Sequence, residues 1–192
     1  MEKLKEYIIK YGKVLSNDIL KVDSFLNQQV DIMLLKEMAF CWYNHFKDKG
    51  VTKILTLEAS GIALGTMVAY TFNTPLVFAK KSKSANMSSN LYMARVFSFT
   101  HKNTNIIAVD KEYLKEEDKI LIIDDFLANG EAVMGMFDLA RQAKAKVVGV
   151  GVAIEKGFQK AGDLLRSKGL DIYSLAIIDN MDPLTKEITF RS

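Results

Sequence analysis

The stretch that most constrains this chain begins with four apolar β-formers, Ile120-Leu121-Ile122-Ile123, which run straight into two adjacent acids, Asp124 and Asp125. Phe126 and Leu127 follow, then the small residues Ala128, Asn129 and Gly130, and then Glu131 and Ala132 at the start of a helical pattern. That order predicts a buried strand, an acidic strand end, a tight loop and a helix N-terminus. In open α/β sheets, ligands sit beyond the carboxyl ends of the strands. Free N–H groups and the positive end of the helix dipole suit a phosphate there, and small residues let it approach the backbone. Two neighbouring carboxylates accept hydrogen bonds without donating. They suit the vicinal hydroxyls of a ribose, held directly or through a magnesium ion.

Elsewhere, strand and helix patterns alternate. Leu4, Ile8, Tyr11 and Leu15 share one helical face. Residues 16–30 have no clear period and predict a strand with a covering loop. Asp31 is a candidate N-cap for a long helix marked by Ile32, Leu35, Ala39, Trp42 and Phe46 and ended by Gly50. Strands are predicted at residues 53–57, 76–79, 92–100, 105–110, 119–123, 147–154 and 172–178, with a turn at 101–104. Helices are predicted at 61–72, 130–143 and 158–168. This alternation predicts an α/β fold with a mostly parallel twisted sheet flanked by helices. A length of 192 residues suits a single domain, 1–192. The net charge of +3 is too mild to argue for nucleic acid and fits one local basic pocket. A single cysteine, Cys41, cannot form an internal disulfide and points to a reducing cytoplasm. The charged N-terminus lacks the apolar core of a signal peptide, and no apolar run is long enough to span a bilayer.

A second anion loop of the same physical kind is expected at Glu58-Ala59-Ser60-Gly61, between the strand at 53–57 and the helix after it. The polar segment 80–91 predicts a mobile loop. Its Lys81, Lys83 and Ser84 read either as part of a solvated, charged loop or as a lid over a bound anion.

The stretch from Asp124 to Ala132 resembles the phosphoribosyl pyrophosphate (PRPP) signature of type I phosphoribosyltransferases. The resemblance implies that fold, with a lid and a small hood over the base, here residues 16–30 with the C-terminal segment. Asp124 and Asp125 would hold the ribose hydroxyls. Ala128, Asn129, Gly130, Glu131 and Ala132 would hold the 5-phosphate, and Glu58 to Gly61 the pyrophosphate, with magnesium on the pyrophosphate and not on protein side chains. The whole chain is similar to the xanthine phosphoribosyltransferases of Gram-positive bacteria, in the segment with Leu20 and Asn27 and in Glu155-Lys156-Gly157-Phe158. It departs at Leu64, where a proline is expected, and in a lid reading Ser82-Lys83-Ser84-Ala85-Asn86. The resemblance implies Leu20, Asn27 and Lys156 as base contacts. A lysine ammonium only donates, so it favours an oxopurine over adenine, and the Asn27 amide could donate to the 2-oxygen of xanthine. The implied reaction is PRPP plus xanthine to xanthosine 5′-monophosphate and pyrophosphate, in a homodimer. Guanosine tetraphosphate, which carries a guanine and two diphosphates, could occupy the same subsites as an inhibitor.

Other classes are weaker. A guanine or hypoxanthine transferase fits the same loops. A PRPP-sensing regulator would need a DNA-reading element, and the first fifty residues carry no basic recognition helix. Cys41 and His45 lie one helical turn apart, but two ligands do not make a metal site. Neither a dinucleotide fingerprint nor a Walker motif is present.

Overall fold

The computed structural model describes residues 1–82, 90–98 and 103–191. Its centre is an eight-stranded sheet in the order β10-β9-β8-β7-β3-β4-β6-β5. These strands are β3 (Lys53–Leu57), β4 (Leu76–Ser82), β5 (Leu91–Ser98), β6 (Asn103–Asp110), β7 (Lys119–Leu127), β8 (Lys146–Lys156), β9 (Ile172–Met181) and β10 (Ile188–Phe190). The five inner strands pair in parallel, while β10 at one edge and β6 and β5 at the other are antiparallel. A parallel centre requires crossover helices and burial on both faces. This is why β7 reads as a continuous apolar run without alternation: Ile120, Leu121, Ile122 and Ile123 are all fully buried.

Two cores result. On one face α2 (Ile32–Phe46) and α3 (Ser60–Phe72) pack with α1 (Glu2–Tyr11), and Trp42, Phe46, Leu64 and Leu121 are buried together. On the other, α4 (Glu131–Gln142) and α5 (Ala161–Ser167) contribute Met136, Leu139 and Leu165 to a cluster with Leu55, Ile120 and Val150. Asp31 caps α2 as expected, its Oδ1 accepting from the Leu34 N–H at 3.0 Å. The Tyr7 hydroxyl donates to its other oxygen at 3.0 Å, tying α1 to the start of α2.

Several boundaries differ from the sequence expectation. The first helix stops at Tyr11 because Gly12 turns extended, and Leu15 is exposed. Residues 16–30 hold little strand: β1 (Lys13–Val14) pairs with β2 (Leu20–Lys21), and a π-helical turn, Asp23–Asn27, buries Phe25 and Leu26. The polar residues 80–82, expected in a loop, belong to β4 because they pair with residues 106–108 of β6. The segment expected as a turn at 101–104 is in part strand, since β6 begins at Asn103. Most consequential, β7 continues through both acids to Leu127, because β8 runs alongside it as far as Leu127 opposite Glu155. The edge strand β10 is three residues long, too short to leave a periodic signal.

Candidate active site

Three adjacent strands, β3, β7 and β8, end on the same side of the sheet, and their ends carry three of the predicted groups: Glu58 to Gly61, Asp124 to Ala132, and Lys156. At the end of β7, Asp124 and Asp125 are 5% and 8% exposed. Asp124 Oδ1 accepts from the Asp125 N–H, and Asp125 Oδ1 from the Phe126 N–H, both at 3.0 Å. Burial pushes the Asp124 carboxyl well above the usual carboxylate range, and the neighbouring Asp125 raises it further. Lys81 pulls weakly the other way. The pair is therefore poised for a ligand that brings hydroxyl donors or positive charge. Its hard carboxylate oxygens also fit magnesium, which takes one or two carboxylates together with substrate phosphates.

Beyond the acids, Gly130 sits at φ +82°, a left-handed conformation that favours glycine, and serves as the N-cap of α4. Ala128, Asn129, Gly130, Glu131 and Ala132 line a cavity of about 240 Å³ whose other walls include Leu57, Lys81 and Phe126. Lys81, expected in the lid, thus reaches the same cavity from the end of β4. Lys83 and Ser84 lie outside the described residues.

The loop after β3 contains a cis peptide between Glu58 and Ala59. The Glu58 side chain is already engaged, accepting from the Lys81 N–H at 2.6 Å, while its own N–H donates to the Ala79 carbonyl at 3.1 Å. Glu58 therefore fastens the loop to β4, and Ser60 and Gly61 follow at the N-terminus of α3.

On β8, Glu155 and Lys156 point into different environments. Glu155 is 1% exposed and pairs with Arg166 of α5 at 2.9 and 2.6 Å. The Ser174 hydroxyl of β9 donates to it as well, at 2.5 Å. Lys156 is half-buried. Its Nζ donates to the Asp18 carbonyl at 2.6 Å and lies 5.6 Å from the centre of the Phe126 ring. Burial lowers its pKa, while Asp18 and Asp125 oppose the shift. Asp18, in the segment expected as a hood, thus meets the end of β8. Leu20 is two residues from that carbonyl and packs in the same cluster as Phe126 and Phe158. Asn27 closes the π-helical turn, and its Oδ1 is buried with no hydrogen-bond partner among the described residues. The unsatisfied atom is an acceptor, whereas the sequence pointed to the amide as a donor.

Phe126 and Leu57 are site-lining residues that the sequence reading missed. Phe126 carried a weak signal, an aromatic wedged between acids and small residues. Leu57 carried none, because only strand adjacency brings it to that cavity.

Comparison with known proteins points to one family. The family model described as "Phosphoribosyl transferase domain" matches residues 21–175. A xanthine phosphoribosyltransferase of Ruminiclostridium cellulolyticum is 54% identical over 182 residues, 95% of this chain and 96% of that protein. The xanthine phosphoribosyltransferase of Bifidobacterium adolescentis is 49% identical over 193 residues, the full length of both. Among solved structures, an adenine phosphoribosyltransferase of Giardia lamblia superposes with a TM-score of 0.75 at 20% identity, covering 91% of this chain and 96% of that one, a likeness of fold alone. With the signature loop, the sheet order and the family match in agreement, the chain belongs to the phosphoribosyl transferase domain family.

Proposed function

We propose that this protein transfers the 5-phosphoribosyl group of PRPP to xanthine, giving xanthosine 5′-monophosphate and pyrophosphate. The observation that carries the reading is the adjacency of three strand ends, those of β3 with Glu58–Gly61, β7 with Asp124–Ala132 and β8 with Lys156. Near-full-length relatives named for that activity support the choice of base.

In this reading the backbone of residues 128–132 holds the 5-phosphate, and Asp124 and Asp125 hold the ribose hydroxyls. The Glu58–Gly61 loop receives the pyrophosphate, with Lys81 adding positive charge. Magnesium, bound with PRPP, would neutralise charge on the departing pyrophosphate. Lys156 leaves the Asp18 carbonyl to donate to an oxygen of the base, and it favours the xanthine anion. The Asn27 amide fits the edge of xanthine around C2: its orphaned Oδ1 accepts from a ring N–H, and its amino group donates to the 2-oxygen. Hypoxanthine lacks that oxygen and would leave a buried group unpaired. Holding both reactants in one cleft converts a bimolecular encounter into an oriented one.

Pyrophosphate release measured with PRPP and a panel of xanthine, guanine, hypoxanthine, adenine and orotate tests the reading. Xanthine should be used best. Equal or better use of guanine or hypoxanthine assigns the second reading, a transferase for those bases, and no release with any base leaves a PRPP-binding regulator. The same reading gives a cytoplasmic homodimer, which light scattering checks. It also makes guanosine tetraphosphate a competitor of PRPP, and inhibition unchanged as PRPP is raised would exclude a shared site.

A further inference from the structure

The pairing of β3 with β7 runs as far as Leu55 opposite Ile122. Beyond that point the two strands serve different loops. β3 turns into Glu58 to Gly61, while β7 continues beside β8 to the acid pair. Where they part, the contact passes to a side chain: Thr56 Oγ1 donates to the Ile123 carbonyl at 2.7 Å. Thr56 is fully buried, and Ile123 immediately precedes Asp124. The same oxygen forms the seat of the other loop. A Cβ on Gly61 would fall 1.9 Å from Thr56 Oγ1, and one on Gly65 would fall 3.3 Å from Thr56 Cγ2. One side chain therefore touches both the peptide that leads into the acid pair and the first turns of α3.

We propose that Thr56 is a positioning residue for PRPP, its hydroxyl fixing the separation between the Glu58–Gly61 loop and the Asp124–Asp125 pair. This rests on the reading of those two loops as PRPP subsites. One ligand must meet both loops at once, so a shift of one relative to the other weakens PRPP use without touching the base pocket. A core threonine with a purely packing role would give no such separation of effects.

Steady-state kinetics on Thr56→Val and Thr56→Ser test this. Valine keeps the shape and removes the donor. It should raise KM for PRPP about tenfold and leave KM for xanthine and kcat at saturating PRPP within about twofold. Serine keeps the donor and should hold the PRPP KM within about twofold of wild type. An unchanged PRPP KM in Thr56→Val, an equal rise for both substrates, or a serine variant as damaged as the valine one overturns the proposal. If Thr56→Val does not fold, Thr56→Ala, which also removes the donor, carries the test by the same criterion. Asp125→Ala, run in parallel, separates this failure from that of the underlying reading. If it leaves PRPP use intact, the loop assignment falls. If it abolishes PRPP use while Thr56→Val does not change it, only the role of Thr56 falls.

Discussion

Lys156 and Asn27 sit on different parts of the chain, so their substitutions should separate. Lys156→Ala removes a charged donor from the end of β8. Losing a hydrogen bond to a charged group costs about 1.5–3 kcal/mol, roughly one to two orders of magnitude in kcat/KM. The loss should fall on the base, most of all on xanthine, and spare PRPP. Asn27→Ala should instead erode the preference for xanthine over hypoxanthine. Kinetics on both variants with both bases checks the pair, and damage to PRPP use by Lys156→Ala would displace the base pocket from the end of β8. Asp124 gives a prediction with a pH sign. Its folded-state pKa is raised, chiefly by burial. Ionising it therefore costs the ligand-free protein stability, and that cost appears as pH rises above the ordinary carboxylate range. Asp124→Asn should raise Tm near neutral pH, with the gap closing as pH falls toward that range, while transfer is lost. Melting curves across pH read this directly, and a gap that widens on acidification contradicts it. The sequence pointed to these residues, to Asp124 through a local motif and to Lys156 and Asn27 through the family resemblance. Their environments were not. Nothing local says that Asp124 is enclosed, that Lys156 rests on the Asp18 carbonyl, or that the orphaned atom of Asn27 is an acceptor.

The strand ends owe their positions to buried polar ties between elements. Glu155 on β8 is held by Arg166 of α5 and Ser174 of β9, which fixes the strand that presents Lys156. Arg166→Ala would leave a carboxylate buried and unpaired, a change that costs about 3–5 kcal/mol. Denaturant unfolding should show a lower midpoint by a corresponding amount, and a loss under 1 kcal/mol, within the usual range of a surface substitution, would show that water replaces the guanidinium. The main elements were readable because their signals are strong: an apolar run for β7, a capped amphipathic pattern for α2, and small residues before α4. Two of the misreadings share one cause. The polar residues 80–82 and the acids at 124 and 125 look like loop, yet they are strand because neighbouring strands supply their pairing. Pairing across the sheet overrides local composition.

For the molecule as a whole, PRPP with magnesium should stabilise the folded state, since the two loops proposed to bind it form only there. A ligand at one hundred times its Kd adds about 2.7 kcal/mol. That predicts a rise in Tm of roughly 5–10 °C for a chain of this size. Thermal shift with PRPP and magnesium, with and without Asp125→Ala, checks it, and an equal rise in the variant would place PRPP elsewhere. The sequence by itself determined the fold class, the signature loop and the kind of ligand, because periodicity, a capped helix start and adjacent acids are properties of neighbouring residues. Tertiary structure alone decided the rest. It set the order β8-β7-β3 that brings three distant loops to one edge. It folded residues 23–27 into a π-helical turn, and it set the Thr56 hydroxyl on the Ile123 carbonyl, 67 residues along the chain. Those outcomes depend on contacts between segments far apart in the chain, and such contacts form only once the sheet has chosen its neighbours.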